Sequence, residues 1–192
     1  MLGAGIGGGV KSSAGNILIS GGTTKAYGAG NSAAIGSSQG SLSSDFSGNN
    51  ITITGGDITA KAATKSAEGK PLTSGGAGIG SGGASDEGPF TITIWGGTIY
   101  AAGGLGSAGI GAGWLMDAGD ISVHGGEIYA LGQGDASGIG AGNGRCGNIY
   151  IDGGTIYAKG QGSKDNAGIG GRKSGGLIVV EGGYIKAESD ID

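Results

Sequence analysis

The sequence predicts an all-β fold, a single-stranded right-handed parallel β-helix of about six coils of about 29 residues each. Three observations predict it. The tetrapeptide Ala-Gly-Ile-Gly, or a near copy, centres on Ile6, Ile35, Ile79, Ile110, Ile139 and Ile169, at spacings of 29, 44, 31, 29 and 30. A second signature follows each copy, with Gly-Gly pairs beginning at Gly21, Gly55, Gly96, Gly125, Gly153 and Gly182. Around those pairs apolar residues alternate with period two, as in Ile51-Thr52-Ile53-Thr54 and Ile58-Thr59-Ala60-Lys61, which is strand patterning.

Each unit resolves into three short strands. The Ala-Gly-Ile-Gly segment supplies one, with Ile inward and Gly on the outside. The Ile-x-Ile segment supplies the next, introduced by Asn16, Asn50, Asp120 or Asn148, residues that suit a corner because they tolerate left-handed backbone and bond locally. A corner must follow at Gly-Gly. Ile53 and Ile58 are five residues apart, an odd number, so a straight strand would turn Ile58 outward. Gly tolerates the dihedrals that reset the phase. The third strand then carries Ile58 and Ala60 inward. Stacking the units aligns five inward columns: Ile17 to Ile178, Ile19 to Val180, Thr24 to Ile185, Ala26 to Ala187, and the six Ala-Gly-Ile-Gly isoleucines. No unit buries its own apolar residues, but stacked units do. Adjacent coils then lie about 4.8 Å apart, and parallel crossovers are right-handed.

Composition agrees. Of 192 residues 52 are Gly and 2 are Pro, which excludes collagen, and the corners and tight segments account for the glycines. A net charge of −4 is too small to hold a chain expanded. The 11 basic residues are dispersed, so no polybasic patch for nucleic acid or anionic lipid forms. No apolar run is long enough to span a membrane. The first residues show no signal peptide and already belong to the repeat, so the chain, 1–192, reads as one domain cut from a longer protein. Insertions interrupt the repeat near 64–75 and at 83–89. Cys146 is alone and forms no internal disulfide, so packing must hold the fold.

Outward columns carry the candidate site. One reads Ser20, Thr54, Trp95, His124, Asp152, Glu181, and the other reads Lys25, Thr59, Tyr100, Tyr129, Tyr157, Lys186; the two flank one corner. Stacked aromatic pairs stabilise a solenoid by roughly 0.2–1 kcal/mol each without any ligand. The same rings are also a platform for a polysaccharide: sugar C–H faces stack on Tyr and Trp, and carboxylates accept hydroxyl hydrogen bonds. Trp114 extends such a platform if it faces the same way. His124, the single His, reads as a solvated surface residue, and no second His or Cys completes a metal site. Asp152 and Glu181 are stacked carboxylates, at a spacing closer to that of a retaining than an inverting glycosidase pair, but equally two charges in an acidic C-terminal region with Glu188, Asp190 and Asp192. Segment Glu188–Asp192 reads as an electrostatic guard for an open coil end. No dinucleotide-binding fingerprint opens a helix after a strand, and no calcium-binding nonapeptide recurs. Thr52, Thr93, Thr54, Thr98 and Thr155 hold no single column, against an ice-binding face.

The run Gly147-Asn148-Ile149-Tyr150-Ile151-Asp152-Gly153-Gly154-Thr155-Ile156-Tyr157-Ala158-Lys159-Gly160, continued by Ala167-Gly168-Ile169-Gly170, resembles the Gly-rich repeats of large secreted or wall-attached bacterial proteins. It is similar to pectin-lyase-like β-helices, among them carbohydrate-binding β-helix domains and adhesin stalks. The resemblance covers nearly the whole chain. It implies a secreted or cell-surface, non-enzymatic module without cofactor, contacting polysaccharide or a host or cell-wall glycan, with flanking domains or further repeats in the parent chain. A passive stalk is the alternative. The paired Asp and basic residues of polysaccharide lyases and polygalacturonases are not matched, so the resemblance carries over no catalytic residue.

Overall fold

A computed structural model describes residues 3–40, 49–84, 89–162 and 166–190. Most of the 83–89 insertion and Asp192 of the acidic tail lie outside the described residues. The strands follow one another in threes. The first coil holds β1 (Ile6–Gly7), β2 (Ile17–Ile19) and β3 (Thr23–Tyr27), and the second β4 (Ile35–Gly36), β5 (Asn50–Ile53) and β6 (Asp57–Lys61). The third holds β7 (Ile79–Gly80), β8 (Thr91–Ile94) and β9 (Thr98–Leu105), and the fourth β10 (Ile110–Gly111), β11 (Ile121–Val123) and β12 (Glu127–Gln133). The fifth holds β13 (Ile139–Gly140), β14 (Ile149–Ile151) and β15 (Thr155–Gly160), and the sixth β16 (Ile169–Gly170), β17 (Ile178–Val180) and β18 (Tyr184–Ser189).

Like strands pair with like. Sheet A runs β1-β4-β7-β10-β13-β16, sheet B β2-β5-β8-β11-β14-β17, and sheet C β3-β6-β9-β12-β15-β18, every pairing parallel. This is a right-handed parallel β-helix of six coils, the hand following from its parallel crossovers. The five expected columns are the observed register: Ile121 pairs with Ile92 and Ile149, Ile128 with Ile99 and Ile156, and Ile110 with Ile79 and Ile139. These side chains form one buried tube down the axis. Each fully buried Ile contributes roughly 1.5–3 kcal/mol by leaving water.

The corner between sheets B and C is made by the second glycine of each pair. Gly56, Gly97, Gly126 and Gly154 have φ of 110°, 104°, 99° and 93°. Ile53 and Ile58 are accordingly both buried despite their odd separation.

Sheet A departs from expectation in one respect. The glycine after its Ile does not face outward. Gly80, Gly111 and Gly140 are buried between coils with φ near +130° (133°, 128° and 126°), and a Cβ on Gly111 would sit on the Gly140 carbonyl oxygen. The Asn/Asp column also works differently. These side chains bond from coil to coil instead of locally: the Asn50 amide donates to Asn16 Oδ1 at 3.0 Å, and the backbone N–H groups of Asn148 and Leu177 donate to Asp120 and Asn148 at 2.8 and 3.0 Å. A residue repeating on every coil finds its neighbour one rung away, nearer than its own turn.

The insertion near 64–75 is a small hairpin. Leu72 N–H donates to Thr64 O at 2.9 Å, Ser66 N–H to Lys70 O at 2.8 Å, and Lys65 bridges Pro71 antiparallel. Both ends of the tube are open among the described residues. Val180 is 54% exposed although it continues the column in which Val123 is fully buried. The acidic tail is ion-paired: Lys186 with Glu188 at 2.8 Å and Lys159 with Asp190 at 2.7 Å. The Thr side chains hold no column, since Glu127 separates Thr98 from Thr155 and Leu18 and Ser122 bracket Thr52 and Thr93.

Candidate functional site at the glycine corner

Trp95, His124, Asp152 and Glu181 each follow the last residue of a sheet B strand. Their backbone N–H groups donate to Ile53, Ile94, Val123 and Ile151, so the four side chains leave successive coils at one height. Just past the corner, Tyr100, Tyr129 and Tyr157 lie in direct register on sheet C. Both expected columns therefore exist.

The side chains interlock along the axis. Trp95 and His124 stack with ring centroids 4.0 Å apart and planes 18° from parallel. His124 Nδ1 lies 2.9 and 3.0 Å from the two Asp152 carboxylate oxygens. An ionised carboxylate only accepts hydrogen bonds, so Nδ1 carries the proton. His124 thus links an indole and a carboxylate at the surface. Trp95 remains 56% exposed with His124 stacked on one ring face.

Each carboxylate has its own hydrogen-bond partner. Asp152 is engaged by His124, whereas Glu181 accepts the Tyr150 hydroxyl at 2.5 Å. That bond, with burial and the charges of Glu181 and Asp152 adding to it, pushes the Tyr150 phenol up to about 12. Tyr150 is the middle residue of β14, facing out, and its ring lies 6.1 Å from His124. Sequence reading missed it because its column otherwise holds Leu18, Thr52, Thr93, Ser122 and Val179, with no recurrent aromatic.

The tyrosine row is less uniform than its register. Tyr129 and Tyr157 stack face to face, centroids 4.8 Å apart and planes 7° from parallel. Tyr157 and Tyr184 are tilted at 56°, and Lys61 Nζ lies 5.0 Å from the Tyr100 centroid in a cation–π contact. Tyr129 donates to Glu127 at 2.7 Å, which raises its phenol above the ordinary tyrosine value. Rings stacked at the coil spacing point their faces along the axis and show solvent their edges. Tyr129 and Tyr157 therefore support each other more than they form a flat platform.

Trp114 lies elsewhere. It lines a depression with Gly106, Asp135, Asn143 and Arg172, beside the loops joining sheet C to sheet A, and shares no lining residue with the glycine corner. Cys146 is buried in the core, and burial pushes its thiol up to about 11, so it is an inert packing residue. Among the described residues no group of three or more His, Cys, Asp or Glu side chains is placed to hold a metal ion, and no helix is long and apolar enough to cross a membrane.

The family model described as "Beta helix repeat" matches residues 17–39, 92–114 and 149–176. Each match begins at the first sheet B isoleucine of a coil and runs through the glycine corner, the sheet C strand and the next sheet A strand, so each covers a turn of this helix. The chain is similar to that repeat over these three segments. No curated protein and no solved structure matches it.

Proposed function

We propose that this β-helix is a non-catalytic module of a bacterial surface protein that binds polysaccharide along the corner between sheets B and C. The single observation that carries the reading is Trp95, an indole stacked on His124 and 56% exposed. A pyranose stacks its C–H face on such a ring, and an indole already fixed by packing costs little further ordering on binding. Asp152, Glu181 and the hydroxyls of Tyr129 and Tyr150 follow on the next coils as hydrogen-bonding groups for sugar hydroxyls. Their existing partners make this a preorganised strip. Tyr100 and Tyr157 flank it as ring edges. The location outside a bacterial cell rests on the Gly-rich repeat pattern alone.

A glycan array tests this reading. A set of polysaccharides should be retained by the protein and lost, by at least about tenfold in affinity, about 1.4 kcal/mol, in Trp95→Ala. Retention unchanged by Trp95→Ala removes the corner as the site. The second reading, a spacer without a ligand, is favoured by the Tyr129–Tyr157 stack, whose ring faces are spent on each other. An array on which the protein retains no glycan selects it. Release of reducing ends from pectic, xylan or fructan substrates would overturn the non-catalytic assignment.

A further inference from the structure

We propose that the edge between sheets C and A carries a second saccharide site, with Trp114 as its stacking ring. This site does not rest on the glycine corner and shares no residue with it. The loops that leave sheet C and the loops that leave sheet A meet there around a depression of about 240 Å³. Trp114 stands in its wall, half-buried.

Neither the core nor a repeated column explains Trp114. Counting four residues beyond each sheet A isoleucine, the other coils place Val10, Gln39, Gly83, Asn143 and Lys173 there, so no apolar column demands an indole. Trp114 is also outside the buried core cluster. Its backbone is nonetheless fixed on both sides: its N–H donates to Gly75 O at 3.1 Å, and its carbonyl accepts Ala84 N–H at 2.9 Å. Gly106, at φ 73°, leaves the space beside the indole, since a Cβ there would run into Trp114 Cδ1. A large ring on an anchored backbone, seated on Gly106 at a concave surface outside the core, is the signature of a recognition residue.

The polar lining defines the ligand. The Arg172 guanidinium donates to Asn143 Oδ1 at 3.1 Å, which ties the fifth and sixth coils together across the depression. Asp135, in left-handed backbone at φ 66°, adds a carboxylate from the loop after β12. Arginine only donates, carboxylate only accepts, and the asparagine amide does both. The group that complements all three is a hydroxyl, which donates and accepts. An apolar ring face beside several hydroxyls is a neutral sugar. Thr73 lines this depression and also a larger one of about 650 Å³, walled by the hairpin, so the two adjoin along the axis and suit an oligosaccharide rather than one residue.

The chain has two tryptophans, one in each proposed site, so each site has its own fluorophore. In Trp95→Phe only Trp114 emits. Titrating that variant with cellohexaose, xylohexaose and mannohexaose should give a saturable change in emission with at least one of them. Adding Arg172→Ala should weaken that response at least tenfold while circular dichroism and the melting curve keep the β-helix. No saturable response from any neutral oligosaccharide in the folded variant overturns the site. So does a response that Arg172→Ala leaves intact, and so does saturation by oligogalacturonate alone, which would demand an acidic ligand. If Trp95→Phe does not fold, the difference between wild-type and Trp114→Phe titrations reads the same fluorophore. Trp114→Phe by itself reports only Trp95, so failure at one site is distinguishable from failure at the other.

Discussion

The corner between sheets B and C and the edge between sheets C and A join the same strands in two different ways. At the corner the chain turns on two glycines per coil, and the second always adopts positive φ, from Gly22 at 77° to Gly56 at 110°. So tight a turn leaves neighbouring coils no freedom, and whatever side chain flanks it meets its counterpart one rung away. Trp95 on His124 and Tyr129 on Tyr157 follow from that constraint. At the edge the connections are longer and unequal, one of them a hairpin. Side chains there do not meet copies of themselves, so they surround space. A rigid turn yields ladders, whereas variable loops yield concavities.

The sharpest test of that contrast is a pair of glycine substitutions. Gly126→Ala places a methyl group 2.7 Å from the Gly97 carbonyl oxygen at φ 99°. It should lower stability by about 3–5 kcal/mol in urea unfolding. Gly69→Ala, at φ 76° in the hairpin with open space around it, should cost only about 1–2 kcal/mol, the left-handed penalty alone. Equal costs would mean that the corner is no tighter than the hairpin.

Much of this contrast was legible in the sequence. The odd spacing of Ile53 and Ile58 required a corner, and the corner required glycine, so columns and register followed from pattern alone. What the pattern does not contain is orientation within a column. Register puts Tyr100, Tyr129 and Tyr157 in line but does not say that two rings cover each other while Lys61 lies over the third. It also paired Asp152 with Glu181 by adjacency, although each has a better partner in His124 and Tyr150. The edge was illegible for the opposite reason. Trp114, Asp135 and Arg172 recur in no column, and loops of differing length brought them together.

Tyr150 sharpens the corner side through pH. Its folded value, near 12, lies above the ordinary 10, so its contribution is full below about pH 10 and fades as pH rises through 12. A tyrosinate absorbance titration should show one phenol ionising near 12, and Tyr150→Phe should remove that step. Removal of some other step would place the strong bond to Glu181 elsewhere.

A double-mutant cycle on Tyr129→Ala and Tyr157→Ala should return a coupling of about 0.5–1.5 kcal/mol, the worth of a stacked pair beyond its buried area. Zero coupling would make the ladder a coincidence of register. The smallest effect belongs to the edge. Replacing residues 65–71 by a two-residue link should change stability by less than about 1 kcal/mol, because Thr64 and Leu72 already lie within hydrogen-bond distance and loop length enters only logarithmically.

The all-parallel rungs have a mechanical corollary. Every hydrogen bond of the three sheets points along the axis of the tube, from one coil to the next. Tension on the two ends of the chain therefore peels a single terminal rung at a time, like a zipper, while its neighbours stay intact. Each rung holds about 29 residues and, once released, yields roughly 100 Å of slack. Stretched end to end, the molecule lengthens rung by rung, with a longer step where the hairpin is inserted, instead of rupturing in one event.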